Sequence, residues 1–312
     1  MDCYEFRKNR GKMEEVVLET HIKEYPLFAK GKVRDVYDLD DKLLIVATDR
    51  ISAFDVVLPS GIPGKGKILT QMSLFWFDLV KNVAESHLIT SEVDKYPDNL
   101  KKYRDILEKR SMLVKKAKRI DIECVVRGYI AGSLWKEYRE QTFLGKSDTI
   151  ELCGIQLPSH LVESQRLPYP IFTPTTKAEE GHDLSLTWEE VKEMVGEKLA
   201  LDLRSKSIQV YKKAADYAER RGMIVADTKF EFGMLDGKLI LIDEIFSSDS
   251  SRFWDKKNYK KGQPQESFDK QYVRDYLESI HWDKKPPAPA LPEEVVMKTL
   301  EKYQQAYQKL VK

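Results

Sequence analysis

Residues 225–254, VADTKFEFGMLDGKLILIDEIFSSDSSRFW, decide how this chain is read, because they place charges where a buried strand should be apolar. In a β-strand successive side chains point to opposite faces. Asp227, Lys229 and Glu231 therefore share one face, and Thr228, Phe230 and Phe232 share the other. The aromatic face is the core face. Asp236-Gly237 marks a turn, and Asp243 closes the returning strand. A two-residue turn would pair Leu235 with Lys238 and put Asp243 opposite Phe230, burying a lone carboxylate at a cost of several kcal/mol. A three-residue loop with Gly237 in a bulge pairs Lys229 with Asp243 instead, so that Glu231 and Asp243 converge on one face. The three-residue register is expected on that ground. Two carboxylates beside a lysine suit Mg-nucleotide chemistry: hard oxygens hold Mg²⁺ and an ammonium neutralises a phosphate oxygen. A solvated, salt-bridged sheet face is the plainer alternative. SSDSSRFW tilts the balance toward a site, since it adds hydroxyls, Asp249 and Arg252 just past the strand end.

The rest of the composition limits the function class. The chain has 312 residues, 42% hydrophobic and 33% charged, enough for a folded core in two lobes. Its 52 Lys and Arg against 51 Asp and Glu leave a net charge of +1, so no general attraction to nucleic acid or an anionic membrane is expected. Cys3, Cys124 and Cys153 show no CxxC spacing and suit a reducing compartment. No apolar run reaches the roughly 18 residues that a membrane span needs, and the first residues have no signal-like apolar core. A cytoplasmic protein is expected.

Along the chain, residues 1 to about 24 read as a polar arm. LFAKGKVRDVYDLDDKLLIVATDR (27–50) reads as an antiparallel meander, and ILTQMSLFWFDLVKNV (68–83) has helical spacing. The charged crossing KKAKR (115–119) separates two strands and divides the chain into residues 1–119 and 120–312. Ser133 is placed as the N-cap of a helix running through LWKEYREQTF. Residues 145–186, with four Pro and three Gly, read as a long functional loop. Thr187 and Glu190 form a capping box, and Gly222 ends a second helix. PPAPALP (286–292) leads into a terminal helix that docks on the body. The architecture is mixed α+β.

Other stretches offer sites. In GKVR, Gly31 allows the backbone close to a phosphate, while Lys32 and Arg34 supply charge; an ordinary basic turn has the same composition. GIPGKGKI (61–68) spells GxxxxGK, but Ile68 stands where a P-loop needs Ser or Thr, which argues against a P-loop. Arg127 ends a strand just before Ser133 opens a helix, so a guanidinium and a helix N-terminus can close on one phosphate. FTPTTKAEEGHD carries Lys177, His182 and Asp183, and Arg274 sits in DKQYVRDY.

GKVRDVYD, SAFDV, IPGKGKILTQMSLFWF, IECVVRGYIAGS, FTPTTKAEEGHD, VADTKFEFG and LIDEIFSSDSSRFW together resemble one family, the SAICAR synthetases (phosphoribosylaminoimidazole-succinocarboxamide synthases) of purine biosynthesis, in family order from about residue 27 to 275. The resemblance implies a two-lobed, ATP-grasp-like α+β fold with ATP between the lobes. It also implies ligation of L-aspartate to the carboxylate of carboxyaminoimidazole ribonucleotide (CAIR), with ATP consumed to ADP and phosphate. Glu231 and Asp243 then resemble Mg²⁺ ligands. Gly31, Lys32, Val33, Arg34 and Lys229 resemble nucleotide contacts, and the crossing with Lys118 and Arg119 holds the adenine. Arg127, Ser133, Arg252 and Arg274 resemble the ribonucleotide set, with Asp55, Lys177, His182 and Asp183 on the substrate side. Arg34 stands where some members have Lys. The long termini leave monomer and homodimer equally open.

A carboxylate is a poor acyl donor, so an amide-forming enzyme must first activate it. An acyl phosphate attacked by the aspartate amine is expected, with Lys229 neutralising charge and Asp183 or His182 available to take a proton. The competing enzyme reading is a small-molecule kinase on the same scaffold, which would release its phosphorylated product.

Overall fold

The computed structural model describes residues 15–144, 148–177 and 184–312. They form two compact units, each discontinuous in sequence: Met1–Gln71, Leu88–Lys115 and Tyr272–Gln304 make the first, and Met72–His87, Lys116–Gln271 and Gln305–Lys312 the second. The chain passes between them five times, and one of these passages, between Lys115 and Lys116, falls inside the charged crossing.

The first unit contains β1 (Leu27–Lys30), β2 (Arg34–Leu39), β3 (Lys42–Ala47), β6 (Leu88–Thr90) and β7 (Ser111–Lys115) in one antiparallel sheet ordered β1-β2-β3-β7-β6. The expected meander is its first half. Strand β2 alternates as the sequence does, with Tyr37 and Leu39 buried against Leu44, Val46 and Leu113. Strands β4 (Arg50–Ala53) and β5 (Val56–Gly61) form a separate hairpin. Its apolar side packs Ile51, Leu58 and Ile62 against Val273 and Leu277 of helix α5 (Gln271–Ser279) and Val295 of α6 (Glu293–Val311). Helix α1 (Lys65–Val80) starts in this unit at the GxxxxGK stretch.

The second unit is built on a long central strand, β14 (Met223–Leu235), with β9 (Ile122–Tyr129) and β15 (Lys238–Ile242) as antiparallel neighbours. Strands β16 (Ser251–Asp255) and β8 (Lys118–Arg119) also pair with β14, and β12 (Arg166–Phe172) and β13 (Thr175–Thr176) pair with β9. Helix α4 (Glu197–Arg220) packs on this sheet through Ala200, Leu203, Ser207, Val210, Tyr211, Ala214 and Ala218, a stripe at helical spacing. Behind the charged face of β14, Phe230 packs on Phe246, which packs on Trp76, with ring centroids 5.1 Å apart in each pair. Helix α3 (Trp188–Val195) opens with the Thr187–Glu190 capping box, and Gly222 follows α4 at φ +73°. Among the described residues no helix is long and apolar enough to cross a membrane.

Three local expectations are corrected. The hairpin takes the two-residue register: Leu235 pairs with Lys238 and Glu231 with Ile242, around Asp236 (φ +49°) and Gly237 (φ +75°), both positive as a tight hairpin turn of matching twist requires. The penalty that argued against this register is avoided by the backbone. The strand stops at Ile242, and Asp243 adopts φ +64°, so the alternation that would have buried its carboxylate ends one residue early. Aspartate tolerates that left-handed conformation better than most residues.

The stretch 145–186 is not one long loop. It contains the hairpin β10 (Thr149–Leu152)–β11 (Ile155–Pro158) as well as β12 and β13. Its prolines fall where few ladder hydrogen bonds are needed, on short strands and on β12, whose pairing with β9 is irregular. Helix α2 (Gly132–Leu144) starts at Gly132, so Ser133 lies in its first turn rather than at its cap.

Candidate active site

In the second unit the open face of β14 is a row of charge. Asp227 and Glu231 are half-buried and Lys229 is exposed, while Thr228, Phe230 and Phe232 are buried, as the alternation requires. Each charge finds an opposite partner from a neighbouring segment. Lys229 donates from Nζ to both oxygens of the buried Glu123 on β9, at 3.0 and 3.2 Å. Lys177, one residue past β13, pairs with Glu231. Asp227 accepts from two guanidiniums: Arg127 on β9 at 3.5 Å and Arg252 on β16.

Arg127 is held on all sides. Its Nε donates to Thr173 Oγ1 at 3.0 Å and its Nη2 to Ser133 Oγ at 3.2 Å. Burial, the larger influence, pushes its pKa down despite the attraction of Asp227. Burial works against the Arg252 charge as well, but Asp227 and Asp269 outweigh it and keep that pKa above the usual value. Both side chains stay cationic, since a guanidinium is not deprotonated in proteins. Gly132, at φ +60°, makes room for this pair, since a Cβ there would lie 2.7 Å from Arg252 Nη2. The outcome is two guanidiniums, a serine hydroxyl and a helix start gathered in one place, a donor set for a phosphate or carboxylate.

Most of the SSDSS stretch works internally. Ser247 Oγ accepts from the amides of Asp249 (3.1 Å) and Ser250 (3.2 Å), Ser251 bonds Thr228 at 2.7 Å, and Asp249 pairs with Lys270 at 3.0 Å. Of the side chains singled out there, Arg252 is the one that joins the charged face. Asp243 lies half-buried one residue beyond the strand partner of Glu231. Among the described residues no three His, Cys, Asp or Glu side chains converge as a cation site. Glu231 and Asp243 are hard-oxygen donors, and that set fits Mg²⁺, which commonly binds through one or two carboxylates plus waters and phosphate oxygens. Lys118 and Arg119 form β8 beside the far end of β14, opposite Met234 and Gly233, and Arg119 bonds Asp121 at 2.7 Å.

In the first unit, the GKVR residues form the turn between β1 and β2, closed by the Gly31 amide on the Arg34 carbonyl at 2.8 Å. Val33 is buried, and exposed Lys32 pairs with Asp55 at the tip of the β4–β5 hairpin. Arg274 lies half-buried on α5 of this unit. His182 and Asp183 lie outside the described residues.

The GxxxxGK stretch is a structural device. The Gly66 amide donates to Asp49 Oδ1 at 2.9 Å, so the protein's own carboxylate takes the start of α1 where a P-loop would hold phosphate. Asp49 is itself paired with buried Arg110 at 2.9 Å. Glu123, Asp227, Thr173 and Asp269 are the participants in the charged face that were not singled out as site residues. Counting back in steps of two from Arg127 along β9 reaches Val125 and Glu123, so the signal for Glu123 was present in IECVVR.

The fold is mixed α+β with antiparallel sheets, and the matches of this chain to known proteins make it an ATP-dependent ligase. The chain belongs to the SAICAR synthetase family, whose model, described as SAICAR synthetase, matches residues 27–289. It is 58% identical over 295 residues to the phosphoribosylaminoimidazole-succinocarboxamide synthase of Thermodesulfovibrio yellowstonii, covering 95% of this chain and 98% of that protein. It is 54% identical over 300 residues to the enzyme of the same name from Desulfosudis oleivorans, covering 96% of this chain and all of that one. The structure of SAICAR synthase from Saccharomyces cerevisiae, complexed with SAICAR, is similar with a TM-score of 0.83 at 41% identity, over 96% of this chain and 98% of that chain. A SAICAR synthetase in complex with ADP gives a TM-score of 0.65 at 25% identity, over 91% and 97% of the two chains.

Proposed function

We propose that this protein joins the amino group of L-aspartate to the carboxylate of CAIR, giving SAICAR, ADP and phosphate, a reading supported by its relatives' name of SAICAR synthase and by similar structures complexed with SAICAR and with ADP. The observation that carries the assignment to particular side chains is the open face of β14, where Asp227, Lys229 and Glu231 each meet an opposite charge from a neighbouring segment. Such a face can exchange its internal partners for a charged substrate with little net change in burial.

In the second unit Arg127, Arg252 and Ser133 hold the ribonucleotide phosphate, Lys229 offers its ammonium to a nucleotide phosphate, Lys118 and Arg119 flank the base, and Lys177 serves the substrate side. In the first unit the turn Gly31–Arg34 takes nucleotide phosphate, and Asp55 and Arg274 are substrate contacts. Glu231 and Asp243 would hold Mg²⁺, which when bound supplies charge neutralisation on the phosphates. A carboxylate oxygen of CAIR attacks the γ-phosphorus and ADP leaves. The aspartate nitrogen then attacks the acyl carbon, phosphate departs, and the nitrogen gives up a proton. The lysines contribute by positioning and by offsetting charge as it builds.

A coupled ATPase assay with CAIR, with and without L-aspartate, tests this reading. Net turnover should require aspartate, and without it positional isotope exchange in ATP should report reversible acyl-phosphate formation. Release of a phosphorylated ribonucleotide without aspartate would instead establish a kinase.

A further inference from the structure

The backbone of the Gly31–Arg34 turn is gripped from behind by two side chains. Arg50 donates from Nη2 to the carbonyls of Gly31 (2.9 Å) and Arg34 (3.1 Å) and from Nε to that of Lys32 (3.1 Å). Thr48 takes the remaining carbonyl, Val33, through its amide and its hydroxyl, both at 2.9 Å. All four carbonyls of the turn therefore point toward the body of the unit. In a trans peptide the N–H points opposite to the C=O. The amides of Lys32 and Val33, which share peptides with the carbonyls of Gly31 and Lys32, are thus directed away from Arg50. Successive outward amides form an anion-binding concavity.

Arg50 is 6% exposed, and the remainder of its fork is fixed by the segment that precedes β1 and by Asp35 on β2. Its Nη1 donates to the Leu18 carbonyl at 2.6 Å and its Nη2 to Asp35 Oδ1 at 2.8 Å. The other oxygen of Asp35 accepts from Thr20 twice, from the amide at 2.9 Å and from Oγ1 at 2.8 Å. Tyr37 closes the loop by donating to the Thr20 carbonyl at 2.7 Å. One guanidinium thus reads arm, turn and strand β2 at once. A lysine could not, since its single ammonium lacks the planar fork that reaches several acceptors in fixed directions.

We infer that Arg50 is a positioning residue for nucleotide binding, and that the arm segment Leu18–Thr20 completes the support which holds the turn's amides outward. This rests on the reading of Gly31–Arg34 as the nucleotide phosphate turn. The segment Leu18–Thr20 is then a working part of the site.

The test uses the full-length protein and steady-state kinetics with ATP and CAIR varied separately. Arg50→Lys should raise the apparent KM for ATP about tenfold or more while the KM for CAIR stays within about twofold. Thr20→Val keeps the side-chain shape and removes the hydroxyl's hydrogen bonds to Asp35 and Tyr37, so about a threefold to tenfold rise is expected, and Thr20→Ser should restore the wild-type value. Thr20→Val also keeps the idea testable if Arg50→Lys does not fold. A lower Tm with both KM values unchanged, or both KM values raised together, would make Arg50 and Thr20 merely structural and overturn the inference. Lys32→Ala separates the two levels. If it raises the KM for ATP but the Thr20 and Arg50 variants do not, the inference alone fails; if Lys32→Ala leaves that KM unmoved, the phosphate-turn reading fails and takes the inference with it.

Discussion

Arg127 and Arg252 come from strands on opposite sides of β14, yet both guanidiniums reach the same oxygen, Oδ2 of Asp227. Two cations sharing one carboxylate have donor capacity left for an incoming anion, and their separation is set by the sheet rather than by flexible loops. Arg127→Ala should therefore raise the apparent KM for the ribonucleotide about tenfold or more with the KM for ATP within about twofold, as expected for the loss of a charge-assisted contact. Initial rates with each substrate varied in turn check this. An equal rise for both substrates would place Arg127 outside the ribonucleotide pocket.

Glu231 sits on the open face of the strand whose other face is packed with Phe230 and Phe232. Replacing its carboxylate by an amide of the same size removes a charge and the Lys177 pairing but no core contact. Glu231→Gln should lower kcat about a hundredfold or more, in the range seen when one group that stabilises transition-state charge is lost. Its Tm should stay within about 3 °C of wild type, because the half-buried amide keeps hydrogen-bonding capacity and no core contact is lost. Single-turnover rates and a thermal melt on the same preparation decide it. Parallel losses of stability and rate would give Glu231 a structural role.

How far the sequence could be read depends on the range of the interaction. Alternation along 227–232, the capping box at Thr187 and the turn at Asp236-Gly237 are local, and the burial pattern and dihedral angles agree with them. The hairpin register is not legible in the sequence, because regular alternation would turn Asp243 toward the core. A single left-handed residue, which no alternation pattern encodes, removes the conflict. The support behind the Gly31 turn was also hidden. Arg50 and Thr20 lie 19 and 11 residues from Gly31 by subtraction of their numbers, and nothing in either local sequence announces that they share Asp35. The P-loop resemblance was correctly discounted from the missing hydroxyl at residue 68, but only the structure shows what the glycine does instead.

Gly66 is required by packing, and Gly237 by conformation alone. A Cβ on Gly66 would lie 2.2 Å from the Ala47 carbonyl oxygen and 2.8 Å from Arg110 Nη1, against backbone that cannot swing aside. Gly66→Ala should cost about 3 kcal/mol, at the severe end for overpacking. Gly237 has open space but φ +75°, so Gly237→Ala should cost about 1 kcal/mol, the ordinary penalty for a left-handed alanine. Urea unfolding of the two variants gives the comparison. A Gly66→Ala protein that keeps its stability and loses only ATP affinity would restore the phosphate-loop reading of this stretch.

Within the second unit the end of α6 is held by Lys309, whose Nζ lies 2.5 Å from Asp255 Oδ2 and 5.5 Å from the centre of the Phe268 ring. The hydrogen bond from Lys309, opposed by partial burial and assisted by the Lys257 amide, holds the Asp255 carboxyl below its ordinary range. The sign of the pH effect follows. A folded-state pKa below the unfolded value near 3.9 means that the folded state binds fewer protons there, so the pair contributes fully at neutral pH and loses its contribution as pH falls through the unfolded pKa and then the folded one. The pair is partly solvated, and its worth is at most about 1 kcal/mol. Asp255→Asn should accordingly unfold at a lower urea concentration than wild type at pH 7, by an amount unchanged down to about pH 5.5, and the gap should narrow steadily below about pH 4. A gap that persists undiminished at pH 3, or one already absent at pH 7, would show that the carboxylate of Asp255 does not fasten the helix.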